Sequence, residues 1–589
     1  MTKEFRKTLK TFYHYAKPYR KQFGLGVLAL LAVDLLNALP PLILKGFIDQ
    51  ASLTFKGDKR YAPFLWLGVT YAVVALTQGV CRYLWRIFLI RASHRVAERV
   101  RNEYFAKLQR LPPSFYDKHP IGDLMTLATN DVEAIRFALG PGLLVFADAI
   151  FLLLALPPAM LWLSPKFTLI TLAPMIALPF IIVKAQRLVH DRFEKVQSHF
   201  SRLSSFAQEN IEGIRVVKAF VREWTQLDRF SQIGKEFVRL NFKLAKAQAI
   251  FEPSFLLTVS LGTVLLIVFA GNDVITGAVG LGTFVAFTRY LDQLGWPMMA
   301  LGLAVTHYQR GKTSLARVIL VLNEKEEASI AKPGAAAATR KLNPLAPLIE
   351  ARNLTFTYPG QNKTALEDVS FQIKDSSRTA IVGPIGSGKS TVIRLLAGLY
   401  EIPEGMLFWK GHDVNDLSLE ERRELLAVVP QEAFLFSETL AWNVSMGTSG
   451  APAHEIKGAL EKAGIGPESE DWGLNMVLGE RGSNLSGGQK ARVALARALN
   501  KPAAALILDD TLSSIDAETE SRILNNLNLT RHKALIMVTH RFARLSSFDQ
   551  ILVFNQGKLT QMGSPASLSS TQGLYRRLLE LQQMESALT

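Results

Sequence analysis

Residues 379–400 read TAIVGPIGSGKSTVIRLLAGLY. The apolar TAIV at 379–382, preceded by the alternating Val369, Phe371 and Ile373, has the pattern of a strand, and VIRLLAGLY that of a helix. Between them lies GPIGSGKST at 383–391. A strand, a glycine loop and a helix in that order are the setting a phosphate-binding loop requires. Gly383, Gly386 and Gly388 let backbone N–H groups close around phosphate oxygens, and the helix start adds its positive dipole end. Lys389 is placed to reach the β and γ phosphates and the Ser390 hydroxyl to bind Mg²⁺. Pro384, Ile385, Ser387 and Thr391 complete the nucleotide-binding set.

About 120 residues on, the apolar run AALIL ends in Asp509, as expected of a buried strand that delivers one carboxylate to the metal. Asp510 follows directly. Between loop and strand lies LSGGQ, formed by Leu485, Ser486, Gly487, Gly488 and Gln489, opening the helical run KARVALARALN. It offers a hydroxyl and backbone N–H groups at a helix start, a second anion-binding surface; read alone, it is also an ordinary serine-capped helix. Two such surfaces joined by a long insert cannot both serve one nucleotide in one chain. A dimer that sandwiches nucleotide between them follows.

Upstream of this soluble α/β pattern the chain changes solvent. The 589 residues carry 67 Lys and Arg against 51 Asp and Glu, a net charge of +16, with 49% hydrophobic residues. Mean hydropathy is +0.16. That combination excludes intrinsic disorder and is unusual for a soluble enzyme. Apolar runs of membrane-spanning length, about 20 residues, lie near 23–47, 63–89, 138–163, 167–186, 250–271 and 282–305. The first is too long for a signal peptide and lacks a small-residue cleavage site. Loops on one side, 1–21, 91–136 and 187–247, hold 27 Lys and Arg; those on the other hold four. Basic short loops stay cytoplasmic, so both termini are expected in the cytosol, and the excess charge belongs to membrane topology and not to nucleic acid. Phe5, Leu9, Phe12 and Tyr13, interleaved with Arg6, Lys7, Lys10 and Lys17, suggest an interfacial helix ahead of the first span. The single Cys81 can form no intrachain disulfide and reads as a small buried hydrophobe.

Helical periodicity persists through the long polar stretches, so the spans are expected to continue well past the bilayer and end in turns. The domain expectation is a membrane domain at 1–322, an Ala- and Pro-rich linker at 323–347 and a nucleotide-binding domain at 348–589. Asp34, Arg82, Arg86, Asp148, Glu252, Arg289 and Asp292 fall in or near the spans. Lone ions there are costly, so they should pair or face the bundle interior or a water-filled cavity. Trp85, Phe251 and Trp296 read as packing groups, and Pro40, Pro41 and Pro297 as bends.

Taken together the chain resembles the ATP-binding cassette exporters, specifically half-transporters in which a six-helix membrane domain precedes one nucleotide-binding domain. The resemblance covers nearly the whole chain and rests on an ordered set. Tyr358 lies in LTFTYPG and is followed by the glycine loop. Gln431 in VVPQEAFLF, VLGERG at 477–482, LSGGQ, the Asp509 strand, SSID at 513–516 and His540 in MVTHR come after. It implies that Tyr358 stacks on adenine and that Gln431 senses Mg²⁺ and faces the membrane domain. Asp516 would contact the opposite site, and His540 the γ-phosphate. Segments 114–136 and 205–224 resemble the two coupling segments. ATP and Mg²⁺ are the implied cofactors, the bilayer and a second subunit the implied partners, and the cell inner membrane the implied location.

One position departs from the family pattern. The residue after the metal-binding aspartate is usually Glu, which polarises the attacking water; here it is Asp510. Loss of one methylene withdraws the carboxylate by roughly 1.5 Å. Nucleotide binding should survive while hydrolysis at this chain's own site slows. With LSGGQ intact the chain can still complete a partner's site, so it resembles the degenerate-site subunit of a heterodimeric exporter of drug-like amphiphiles, lipids or peptides. The alternatives are an ATP-gated regulatory or channel-like subunit, and a homodimeric lipid flippase with low ATPase activity.

Overall fold

An apolar run in a bilayer has no water to satisfy its peptide groups, so it must close its own hydrogen bonds as a helix. The computed structural model describes residues 3–55, 62–327, 345–446, 451–466, 471–527, 534–542 and 545–588; in its helices the side chains of 3–9, 53–55, 176–183, 185–187, 190, 250–252, 254–256, 259, 298–299 and 585–588 lie outside the description. Helices α1 (Lys3–Ala16), α2 (Arg20–Asn37), α3 (Leu39–Phe55) and α4 (Ala62–Leu108) come first. A helical stretch from Ile121 passes through π-helical turns at Leu127–Asp131 and Ala138–Gly142 into α5 (Leu143–Leu163). Then follow α6 (Pro165–Leu172), α7 (Leu178–Glu212), α8 (Ile214–Ala219), α9 (Glu223–Ile275) and α10 (Leu281–Leu322).

The apolar runs read from the sequence are helical. Among the described residues, Lys10–Ser52, Ala62–Leu108 and Ile121–Leu163 are long and apolar enough to cross a membrane. The other three runs include side chains outside the description. At 1.5 Å per residue the 47-residue α4 and 53-residue α9 are roughly 70 and 80 Å long. A hydrocarbon core of about 30 Å leaves more than half of each beyond the bilayer.

The run at 23–47 lies within one candidate span, Lys10–Ser52, with a turn at Ala38 between α2 and α3. Pro40 and Pro41 sit in the first turn of α3, where a missing N–H costs no hydrogen bond. The Ala38 carbonyl at this turn accepts the Tyr290 hydroxyl from α10 at 2.6 Å. Pro297 lies inside α10, which continues past it. Of the intramembrane charges, Asp34, Arg82 and Asp148 are hydrogen-bonded to polar side chains. Fully buried Asp34 accepts from Asn37 at 3.4 Å, and the Asn37 amide oxygen accepts from Gln78 and Arg82 at 3.2 and 3.3 Å. Trp296 is more than packing, since its indole N–H donates to Asp148 at 2.6 Å. The side chains of Phe251 and Glu252 lie outside the described ones.

The chain divides into two units, 1–109 with 121–324 and 110–120 with 325–589. In the second, β1 (Ile349–Thr357), β2 (Thr364–Ile373), β4 (Leu407–Trp409) and β5 (His412–Asp413) form an antiparallel sheet in the order β2-β1-β4-β5. The other strands are β3 (Arg378–Val382), β6 (Leu426–Val429), β7 (Ala505–Asp509), β8 (Ala534–Val538), β9 (Gln550–Asn555) and β10 (Lys558–Gly563). They form a second sheet in the order β10-β9-β3-β8-β7-β6, parallel except for the β10 edge. Strands β3, β7 and β8 are buried on both faces, as near-continuous apolar runs in parallel sheets must be. Helices α11 (Lys389–Leu396), α12 (Gly487–Asn500), α13 (Ala517–Asn526) and α14 (Leu574–Leu588) belong to this unit. The short helix Pro113–Tyr116 groups with it too, through the Tyr400 hydroxyl donating to Asp117 at 2.6 Å and the Glu327 N–H donating to the Arg110 carbonyl at 2.9 Å.

Candidate functional site

Register assembles the site. Ile381 of β3 and Asp509 of β7 both pair with Val538 of the intervening β8, while Leu508 pairs with Val429 of β6. Four parallel neighbours therefore release the loops at 383, 430, 510 and 539 along one edge, where ligands of open α/β sheets bind.

The loop after β3 has the conformation its glycines permit. Gly383, Gly386 and Gly388 have φ of 148°, 76° and 100°, all in the region that favours glycine. At Gly383 space is decisive as well, because a Cβ would run into the Phe554 carbonyl oxygen and the Ser387 hydroxyl. Lys389 starts α11, and its ammonium donates to the Gly383 and Pro384 carbonyls at 2.8 and 2.7 Å. Burial lowers its pKa, while the Asp510 and Asp509 charges oppose that shift. The Ser387 hydroxyl is buried in the loop without a hydrogen-bond partner. A buried polar group left so is costly, and a phosphate oxygen would satisfy it. Ile385 at the loop tip is 94% exposed.

Ser390 donates to Asp509 Oδ1 at 3.3 Å, so the two oxygens converge as a divalent cation would need. Burial raises the Asp509 carboxyl above the usual range, opposed by the Ser390 bond and Arg394. Asp510 has a left-handed backbone, φ 48° and ψ 24°, fixed by its N–H on the Val538 carbonyl at 3.1 Å and by the Ser513 hydroxyl on its own carbonyl at 2.7 Å. Its carboxyl is also pushed up by burial, with the His540 and Lys389 charges pulling the other way. Gln431 and His540 are exposed on the same edge.

Tyr358 is held against α11. Its hydroxyl donates to Thr391 at 3.1 Å and accepts from Arg394 at 3.3 Å, and its ring meets Phe356 and Tyr400 edge-on at 5.1 and 5.2 Å. Burial, then the Asp117 carboxylate, push the Tyr400 hydroxyl up to about 12, so it remains a donor at neutral pH.

LSGGQ caps α12 within this chain. Ser486 Oγ accepts from the Gln489 N–H at 3.3 Å, and Gln489 Oε1 accepts from the Ser486 N–H at 2.9 Å, a reciprocal capping box. Leu485 is buried, Gly487 opens onto free space, and a Cβ on Gly488 would lie 3.0 Å from the Ser514 carbonyl. Asp516 caps α13 through the Thr519 N–H at 2.8 Å, which holds its carboxyl below the usual range.

Two arginines outside the motifs tie these pieces together. Arg541, next to His540, donates to the Ile515 and Ser513 carbonyls at 3.2 and 3.0 Å and pairs with Glu520, which is 3% exposed. Arg497 of α12 donates to the carbonyls of Asn443 and Phe434 at 2.7 and 2.9 Å and to Asn443 Oδ1 at 2.9 Å, linking the LSGGQ helix to the segment after Gln431. Adjacency to a motif was the sole sequence signal for Arg541; Arg497 carried none.

A glycine loop, a paired hydroxyl and carboxylate at a strand end and a capped LSGGQ helix, following a helical membrane unit, define an ATP-driven membrane transporter. Comparison with known proteins agrees. The family model for the ABC transporter transmembrane region matches residues 23–298, and that for the ABC transporter matches 366–513. The multidrug resistance-like ATP-binding protein MdlA of Escherichia coli is 32% identical over 583 residues, covering 98% of this chain and 96% of that protein. The ATP-dependent lipid A-core flippase of Vibrio cholerae is 29% identical, covering 98% of each chain. The structure of a bacterial Atm1-family ABC exporter with ATP bound superposes with a TM-score of 0.78 at 25% identity, covering 96% of this chain and 99% of that one. The chain belongs to the ABC exporters, ATPases that couple ATP to transport across a membrane.

Proposed function

We propose that the protein is one half of a heterodimeric exporter of amphipathic small molecules, lipids or peptides across the inner membrane, with its termini and nucleotide-binding domain in the cytosol. In this reading the membrane domain is 1–322, the linker 323–347 and the nucleotide-binding domain 348–589. Gly383 to Thr391 cradle the phosphates, Tyr358 supports adenine, His540 meets the γ-phosphate, and Ser390, Asp509 and Gln431 hold Mg²⁺. Bound there, Mg²⁺ neutralises charge on the β and γ oxygens. Ser486 and Gly488 face the partner's nucleotide, with Asp516 at the junction. The orphaned Ser387 hydroxyl and the Ser390–Asp509 convergence support the nucleotide assignment.

The observation that carries the heterodimer is Asp510. A water-orienting base must lie within about 3.2 Å of its proton, and the fixed backbone at 510 cannot advance a short side chain. Nucleotide at this site is therefore bound and held, and turned over at the partner's site against this chain's LSGGQ. The turn after α7 adds support for a partner, with Val216, Phe220, Val221 and Trp224 all more than 60% exposed, a cluster that needs cover. ATP closure of the two nucleotide-binding domains then drives the membrane cavity from inward- to outward-facing, and hydrolysis resets it. The test is ATPase activity of the purified chain by itself. The expected outcome is little turnover until a second subunit with Glu at the equivalent position is added; ordinary family rates from this chain alone would sink the heterodimer.

A further inference from the structure

His540 hangs on a short segment beyond β8, and that segment is gripped from the far end of the chain. Gln582, on α14, accepts the Phe542 N–H on its amide oxygen at 2.6 Å and donates its amide N–H to the His540 carbonyl at 3.2 Å. Binding the carbonyl of one residue and the N–H of the second residue on is what one residue of a parallel neighbouring strand does with its own N–H and C=O. The side chain thus continues the sheet's grip on the main chain past Val538, where the strand ends. The neighbours on either side of His540 are held differently. The Thr539 N–H donates to the Ile381 carbonyl at 3.3 Å and the Arg541 N–H to the Thr539 hydroxyl at 3.0 Å.

Helix α14 is itself well seated. Tyr575 is 2% exposed and packs edge-on against Phe542 at 5.7 Å, its N–H donates to Gln561 at 3.0 Å, and Leu578 and Leu579 pack on the core beside it. The grip therefore refers the His540 backbone to a docked helix and not to a floating tail. A histidine that must place a ring nitrogen within hydrogen-bond distance of a phosphate oxygen needs its main chain fixed to a fraction of an ångström, since a 1 Å misplacement is costly.

We propose that Gln582 is a positioning residue for His540, through which the C-terminal helix sets how well this site distinguishes ATP from ADP. The inference rests on the assignment of His540 to the γ-phosphate. Its test uses the full-length chain in lipid nanodiscs, with the variants Gln582→Met, which keeps volume and loses both bonds, and Gln582→Glu, which keeps the acceptor for Phe542 and loses the donor to His540. Two quantities are read: amide hydrogen exchange at Phe542 without nucleotide, and the ratio of ADP to ATP dissociation constants with Mg²⁺.

Gln582→Met should speed Phe542 exchange and lower the ratio by about three- to tenfold, the range one net hydrogen bond supplies, with ADP affinity unchanged. Gln582→Glu should leave Phe542 exchange near wild type and lower the ratio less than Met does, and its ratio carries the test if the Met variant does not fold. His540→Ala is the reference for losing the γ-phosphate contact. Unchanged Phe542 exchange in Gln582→Met overturns the proposal, as does an intact ratio in the Gln582 variants beside a collapsed one in His540→Ala. An intact ratio in His540→Ala itself overturns the γ-phosphate assignment beneath it.

Discussion

Asp510→Glu should make this site faster and its domain slightly less stable, and both signs follow from the geometry. The added methylene advances the carboxylate by roughly 1.5 Å. The main chain cannot give that gain back, because the 510 N–H and carbonyl are both tied, to Val538 and Ser513. If a misplacement of about 1 Å costs on the order of a hundredfold, the substitution restores up to that factor, about 2.7 kcal/mol of barrier. Against it stands the left-handed backbone at φ 48°, a region that costs most L-residues roughly 1–2 kcal/mol and that Asp tolerates through local hydrogen bonds. Glu loses part of that tolerance, so up to about 1 kcal/mol of stability goes. The assay is ATP turnover of the assembled transporter in nanodiscs with the partner's catalytic carboxylate neutralised, so that this site alone reports. Asp510→Asn supplies the baseline, since Asn also tolerates a left-handed backbone and has no charge. Turnover by Asp510→Glu no higher than wild type, at unchanged Mg²⁺–ATP affinity, would refute the argument that reach limits this site.

Gly383→Ala should abolish nucleotide binding by equilibrium dialysis, because its Cβ meets the Phe554 backbone, whereas Gly386→Ala, which opens on free space, should cost only about 1 kcal/mol of backbone strain. Arg541→Met leaves the buried Glu520 carboxylate unpaired; we expect a loss of about 3 kcal/mol, the low end for a broken buried pair because the guanidinium is partly solvated. Much of that loss should return in the double variant with Glu520→Gln, as measured by denaturant unfolding. Asp509 has its carboxyl raised by burial, so on acidification it takes up its proton above the ordinary value of about 3.9. Mg²⁺-dependent nucleotide affinity should therefore fall in that window. Folding stability without nucleotide should instead gain from this group as pH drops through its raised folded-state pKa, since the folded form binds the proton more tightly than the unfolded chain.

What could be read in advance was whatever a short segment decides by itself. A strand, glycine loop and helix are encoded within some 20 consecutive residues, and an apolar run long enough to cross a bilayer declares itself by length. A bend at Pro40 and Pro41 could be read from the prolines, but not that Tyr290, more than 250 residues away, would donate to the Ala38 carbonyl beside them. Gln582 was equally hidden. In LYRRLLELQQ it is one more polar residue on a helix, and its partners lie about 40 residues earlier.

The same distinction explains why the most telling residue of the site is also the least conspicuous. Asp for Glu at 510 alters neither net charge nor local propensity enough to register in composition or periodicity. Its consequence is metric, a carboxylate set back by one bond from a backbone that cannot follow. In the proposed reading the chain keeps every group that binds nucleotide and lacks only the reach that hydrolyses it. Such a loss is tolerable where a second site can do the chemistry, and this chain's intact LSGGQ is the surface with which a second site would be completed.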